Sequence, residues 1–246
     1  MSSDVELHVA YKVANAPIQS FPYPHLYINE VFPPDYYAEL QRRMPDPAAM
    51  RPIAEVRPVK GYNERFVLGF EDPDLATLPE DQQAFWKDLR GWLRGGRFAN
   101  MMLGKFGAFV NQRFQGKNVQ FYDELLLVQD TTNYKLGPHS DAPRKVITFL
   151  FYLPKDDSQR HLGTSIYFPK DPKFRCPGGP HYAHENFERV WTMPFLPNSL
   201  FVFVKSDMSF HGVEPVADPD TRRWLLLYDI YHRVAEPAAN APKFSF

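Results

Sequence analysis

Cysteine is nearly absent from this chain of 246 residues: Cys176 is the only one. That excludes an intramolecular disulfide and any cysteine-based metal cluster. Charge of one sign is missing as well. The 28 Lys and Arg residues stand against 29 Asp and Glu, a formal net charge of −1, and the basic residues are scattered. Such a balance carries no nucleic-acid footprint. Long apolar runs are lacking, and none approaches membrane-spanning length. Met1-Ser2-Ser3-Asp4 opens without the basic, apolar and small-residue progression of a signal peptide. The expectation is a cytoplasmic protein with neither nucleic acid nor membrane among its partners; composition says nothing of its oligomeric state. Proline, by contrast, is plentiful at 24 residues, but it is spread out and punctuates loops.

What is present suffices for a sizeable core. Hydrophobic residues make up 44% and aromatics 15%, and all-β barrels often reach this length as one unit. The chain therefore reads as a single domain over 1–246. Residues 1–118 would supply an N-terminal strand and helical support, 119–234 a β core interrupted by a lid at 169–188, and 235–246 a tail.

Residues 1–20 show no strong periodicity and read as a lead-in arm or edge strand. Phe21 to Phe32 alternates as a strand does. Pro33-Pro34-Asp35 starts a helix to about Met44, because proline suits a first helical turn and an acid favours the N-terminus. A strand is expected around Glu64–Phe70. Phe85, Trp86, Leu89, Trp92 and Leu93 recur at helical spacing, and a second stripe runs from Phe98 to Val110. Both are read as faces packed on a sheet. From about Val119 strands follow: Glu124–Gln129, Val146–Leu153, Ser165–Phe168, Val190–Met193, Ser199–Val204 and Trp224–Tyr231, with Gly, Pro, Asn and Asp between them. This pattern suggests a sandwich or barrel.

Two segments 70 residues apart carry the chemistry: Pro138-His139-Ser140-Asp141 and Ser209-Phe210-His211-Gly212-Val213. Two imidazoles and one carboxylate are the ligand set that holds one face of an Fe(II) ion and leaves the other open. Strand alternation would point His139 and Asp141 the same way, with Ser140 turned aside. His211 must come from a distant strand, and Ser199–Val204 ahead of it supplies a buried one. The pair Arg222-Arg223 then opens an apolar run, where a cation is well placed to grip a co-substrate carboxylate.

These residues resemble the Fe(II)/2-oxoglutarate-dependent dioxygenases, most of all their prolyl-4-hydroxylase-like branch. The resemblance runs from Glu124 to Tyr231. It passes through Tyr134-Lys135-Leu136-Gly137-Pro138-His139-Ser140-Asp141, Ile147 to Pro154, Gly163-Thr164, Pro197 to Phe203, and His211 to Arg223. It implies a double-stranded β-helix, or jelly roll, with supporting helices, in which His139, Asp141 and His211 bind the metal. It also implies Fe(II) as the metal, 2-oxoglutarate and dioxygen as co-substrates, and ascorbate as a candidate reductant. A basic residue at the start of the last core strand would bind the far carboxylate of 2-oxoglutarate. Arg222 is favoured over Arg223, because that register sets Tyr228 where the family has an aromatic residue. Tyr152 matches a tyrosine that assists, and Tyr134 is a further candidate.

The implied reaction hydroxylates an unactivated C–H bond of a small-molecule or peptide substrate and releases succinate and carbon dioxide. A Gly or Ala in place of Asp141 would have left room for chloride; the carboxylate favours hydroxylation over halogenation. The alternatives are a cupin-like metal enzyme that ignores 2-oxoglutarate, and a non-catalytic sensor of the metal or of 2-oxoglutarate. His181 and His184 are read as lining a lid or facing solvent, and Cys176 as incidental. Phe174, Arg175 and Tyr182 in the lid would suit a polar, anionic ligand.

Overall fold

The computed structural model describes residues 2–57 and 62–234; the expected tail at 235–246 lies outside them. The described residues form eleven strands: β1 (His25–Asn29), β2 (Arg51–Pro52), β3 (Arg65–Gly69), β4 (Val119–Thr131), β5 (Leu136–His139), β6 (Lys145–Tyr152), β7 (Ser165–Pro169), β8 (Phe187–Thr192), β9 (Ser199–Val204), β10 (His211–Val213) and β11 (Arg222–Val234). Seven make one antiparallel sheet in the order β1-β9-β6-β11-β4-β3-β2, and four make a second in the order β5-β10-β7-β8. This is the jelly-roll core expected from the sequence.

The larger sheet is covered on both faces, which explains its unbroken apolar runs. On β11, Leu226, Tyr228 and Ile230 join the core shared with the helices, whereas Leu225 and Leu227 join the core between the sheets. On β9, Leu200 and Val202 go one way and Phe201 and Phe203 the other. A strand buried on both sides needs apolar residues at every position. Burying one such side chain contributes roughly 1.5–3 kcal/mol.

The described residues also form seven α-helices: α1 (Ser2–Asn15), α2 (Pro34–Arg42), α3 (Ile53–Val56), α4 (Asp72–Leu75), α5 (Glu80–Leu93), α6 (Arg97–Lys105) and α7 (Gly107–Phe114). All but α3 flank the outer face; the buried Ile53 of α3 joins the core between the sheets. The start of α2 matches the expectation, with Pro34 in its first turn. Residues 2–15 correct one: they are helix, neither arm nor edge strand. Val5, Val9 and Val13 recur every four residues and are buried, a narrow stripe that an otherwise polar segment hides. The stripe from Phe98 to Val110 also divides, because the helix breaks at Phe106 and restarts. Phe98 packs its ring on Phe149 and Tyr228 of the large sheet, so these helices do buttress it. No helix among the described residues is long and apolar enough to cross a membrane.

Candidate metal and co-substrate site

His139 and His211 face each other across the small sheet, as direct register partners of antiparallel β5 and β10. This corrects the expectation that the strand at Ser199–Val204 presents His211. The histidine has a three-residue strand of its own in the opposite sheet. Gly212 permits that pairing, since a β-carbon there would stand 2.3 Å from the Leu136 carbonyl oxygen. Asp141 lies two residues past the end of β5. It still turns to the same side as His139, while the Ser140 hydroxyl donates to the Ser206 carbonyl.

The three side chains are buried, and one donor atom from each lies within 4.8 Å of the other two. His139 Nε2 is 3.9 Å from Asp141 Oδ1, and His211 Nε2 is 3.7 Å from Asp141 Oδ2. Each imidazole is fixed from behind. His139 Nδ1 is 3.0 Å from the Gly137 carbonyl and His211 Nδ1 is 2.9 Å from the Ser209 carbonyl. A carbonyl only accepts, so Nδ1 carries the proton and the Nε2 lone pair points to the centre. Burial, and for His139 also the neighbouring His211, push both imidazoles below their ordinary pKa. Burial raises the Asp141 carboxyl, but Lys145 and the two imidazoles outweigh it and hold it well below the usual range. Neutral histidines and an ionised carboxylate are the protonation states that metal ligation requires. The donor set thus fits a divalent metal.

Around this centre opens a cleft of about 440 Å³. Parity along β11 decides which arginine enters it. Residues 223, 225, 227, 229 and 231 face inward, and Arg223, Leu225, Leu227 and Tyr231 line the cleft. Arg222 is exposed on the other face, 3.5 Å from Gln129 Oε1. The preference for Arg222 is corrected on this ground. The aromatic that supported it, Tyr228, belongs to the helix-facing core. The run Trp224–Tyr228 is apolar on both parities and hides the register. The polar residues Asp229 and Tyr231, which share the parity of Arg223, were the available signal.

Arg223 is 1% exposed. Its Nε donates to the Leu162 carbonyl at 2.6 Å and its Nη1 to Asp130 Oδ2 at 2.7 Å. Asp130 also accepts two hydrogen bonds from Arg65. One carboxylate between two guanidiniums leaves a net positive charge at that end. Tyr134 is fully buried with its ring 4.5 Å from the Arg65 guanidinium carbon, and its hydroxyl has no partner among the described residues. An orphaned hydroxyl beside an excess cation fits a carboxylate guest. Tyr152 stands one layer back, under the Arg223 guanidinium, and its hydroxyl accepts from the Thr164 amide. Thr164 itself lines the cleft.

Several cleft residues escaped the sequence reading. Lys145 Nζ lies 3.3 Å from Asp141 Oδ1 and 3.0 Å from Asp229 Oδ2. Thr148 donates to Asp141 Oδ2 at 3.0 Å. Arg57 pairs with Glu124, and Arg65, Tyr62 and Arg144 also line the walls. Thr148 lies within the Ile147–Pro154 stretch of the resemblance, but its role was not read there; the others sit in segments that carry no recognisable motif.

The segment 169–188 is packed, with Phe174 and Tyr182 against Cys176, Phe187 and Phe210. Its main chain is tied down where the Tyr182 amide donates to Pro138 and the Cys176 amide to Asp207. Arg175 donates to carbonyls of its own loop. None of Phe174, Arg175 and Tyr182 lines the cleft around the three ligands. His181 does reach the cleft: its ring is 4.7 Å from that of His139, and its Nε2 is hydrogen-bonded to the Tyr62 hydroxyl at 2.8 Å.

No protein-family model matches this chain, and no curated protein does. Similarity to solved structures is one of shape. A prolyl-4-hydroxylase from Pseudomonas putida aligns over 93% of this chain and 99% of its own, with 15% identity and a TM-score of 0.52. A 2OG-Fe(II) oxygenase family oxidoreductase from Burkholderia pseudomallei aligns over 94% and 90%, at 13% identity and a TM-score of 0.43. The non-haem alpha ketoglutarate dependent epimerase SnoN from nogalamycin biosynthesis aligns over 98% and 93%, at 11% and 0.47. At such identity the first likeness establishes the fold, and the other two are looser.

Proposed function

We propose that the protein is an Fe(II)- and 2-oxoglutarate-dependent oxygenase that hydroxylates an unactivated C–H bond. One observation carries this reading. Two imidazoles whose Nε2 atoms turn to a common centre, and the Asp141 carboxylate, converge in the same cleft as a buried cationic end formed by Arg223 and Arg65 around Asp130. The first set suits Fe(II) and the second the far carboxylate of a 2-oxo diacid.

When bound, the iron would activate dioxygen, with one oxygen atom ending in succinate and the other in the substrate hydroxyl as carbon dioxide leaves. His139, Asp141 and His211 would hold it. The Gly137 and Ser209 carbonyls keep the two imidazoles in one tautomer, and Thr148 and Lys145 keep Asp141 ionised and oriented. Arg223 would pair with the far carboxylate, and the Tyr134 hydroxyl is available to donate to it. The rings of Phe195 and Tyr152 pack on the Arg223 guanidinium, 4.6 and 5.7 Å from its carbon. The apolar side chains Leu150, Phe203, Val213, Leu225 and Leu227 line the same cleft and exclude water from the reacting centre.

The test is anaerobic titration of Fe(II) and then 2-oxoglutarate into the metal-free protein, following the visible charge-transfer band of an Fe(II)–2-oxo acid chelate. The band should form in the wild type, disappear in His139→Ala, and need at least tenfold more 2-oxoglutarate in Arg223→Gln. Iron uptake without a band would overturn the 2-oxoglutarate assignment.

A further inference from the structure

Five cationic side chains line the cleft: Arg57, Arg65, Arg144, Lys145 and Arg223. Four have a carboxylate partner within 4.0 Å: Glu124 for Arg57, Asp130 shared by Arg65 and Arg223, and Asp141 and Asp229 for Lys145. Arg144 has no carboxylate partner among the described residues. Four carboxylates against five cations leave one positive charge. A dipositive ion and the 2-oxoglutarate dianion would cancel each other and leave that charge in place.

The position of Arg144 is built. It occupies the turn between Asp141 and β6, where the Lys145 amide donates to the Ala142 carbonyl and the His232 amide to the Arg144 carbonyl. Arg113 donates to the Pro143 carbonyl of the same turn. The Arg144 guanidinium carbon lies 5.5 Å from the Tyr231 ring centroid. That ring is itself fixed: its hydroxyl lies 3.0 Å from Glu124 Oε2, to which it donates, and 3.2 Å from Asp229 Oδ2, and its face stacks on Tyr122 at 5.3 Å and 14°. A guanidinium spread over an aromatic ring keeps its N–H edge free for a planar, bidentate acceptor.

We infer that Arg144 and Tyr231 form the substrate's anchoring subsite, and that the substrate is a small molecule bearing one carboxylate in addition to the C–H bond to be oxidised. This deepens the oxygenase reading and rests on it for the placement of the reacting bond. The anion site itself rests only on the side chains just described.

The probes are benzoate and benzamide, which share a planar ring and differ in charge. They would be titrated into the Zn(II)-loaded, 2-oxoglutarate-saturated protein while the arginine Nε–H resonances are followed by NMR, with Arg144 assigned by its loss in Arg144→Gln. Benzoate should shift the Arg144 resonance saturably and benzamide should not, and Arg144→Gln should weaken benzoate at least tenfold. Equal shifts with both probes, or none with benzoate, would overturn the proposal. So would an Arg144→Gln variant that loses 2-oxoglutarate as much as benzoate, because Arg144 would then belong to the co-substrate. If the wild type takes up no 2-oxoglutarate, the benzoate titration in its absence still reads the subsite, and only the oxygenase assignment fails.

Discussion

Lys145 holds its ammonium 3.3 Å from Oδ1 of Asp141, the one carboxylate of the candidate metal site. The same group is 3.0 Å from Asp229 Oδ2, so a single partly buried cation separates two buried carboxylates. Burial alone would lower the lysine pKa, yet Asp141 and Asp229 more than offset it and raise it.

Lys145→Met should therefore destabilise the metal-free protein by roughly 3 kcal/mol or more, since it strands two buried charges without their shared counter-ion. A divalent metal bound at Asp141 replaces part of the missing charge. Zn(II) should restore more stability to the variant than it adds to the wild type. Urea denaturation with and without Zn(II) reads both quantities; an equal zinc increment in the two proteins would refute this role.

Gly178 and Gly179 share a left-handed backbone, at φ +130° and +131°, which costs a non-glycine residue about 1–3 kcal/mol. They differ in what a β-carbon would meet. At 178 it would stand 2.3 Å from the Asp141 carbonyl oxygen, while at 179 nothing lies within 4 Å. Gly178→Ala should weaken metal binding about tenfold or more beyond Gly179→Ala, by displacing the ligand's own backbone. Calorimetric titration of Zn(II) into both variants decides it, and equal affinities would count against the contact.

The metal-free protein should lose stability on acidification. The folded-state pKa values of His139 and His211 are lowered, by burial first, so the unfolded chain binds more protons as pH falls. Stability is then full above the unfolded value of about 6.5 and falls as pH drops through it, by up to about 1.4 kcal/mol per pH unit for each histidine. The lowered Asp141 pKa acts in the same direction, but only below the unfolded carboxyl value of about 3.9. Between pH 7 and 5 the slope should therefore be shallower in His211→Gln than in the wild type. Unchanged slopes would mean that the histidines are not the titrating groups.

The two adjacent arginines should behave oppositely. Arg222→Gln changes an exposed side chain, so stability should move by less than about 0.5 kcal/mol and 2-oxoglutarate affinity should stay as it was. Arg223→Gln removes one of the two cations holding Asp130 and should cost about 3 kcal/mol. Thermal unfolding of both variants, with and without 2-oxoglutarate, separates them. A loss of co-substrate binding in Arg222→Gln alone would reverse the assignment.

Much of this was legible in the chain itself. Strands buried on both faces announce themselves as apolar runs, so β6, β9 and β11 stand out. The spacing of His139 and Asp141, with a later His211, names a ligand set because few side chains bind a metal in their ordinary protonation states. Scarce cysteine, balanced charge and short apolar runs bounded the rest.

Tertiary structure alone decided matters of parity and neighbourhood. In a run such as Trp224–Tyr228 every residue is apolar, so nothing local tells which arginine faces the cleft until pairing with β4 and β6 sets the face. Lys145 is a sharper case. The register shifts between Ile230 and Tyr231, so that Ile230 pairs with Ile147 but Tyr231 with Lys145. That bulge leaves Val146 unmatched and turns Lys145 to the cleft side with Thr148 and Leu150. Strict alternation from the sequence would have sent it to the helices. Arg57, Arg65, Tyr62 and Arg144 likewise owe their place to packing between distant segments, because an electrostatic site is defined by distances in space that no local pattern along the chain encodes.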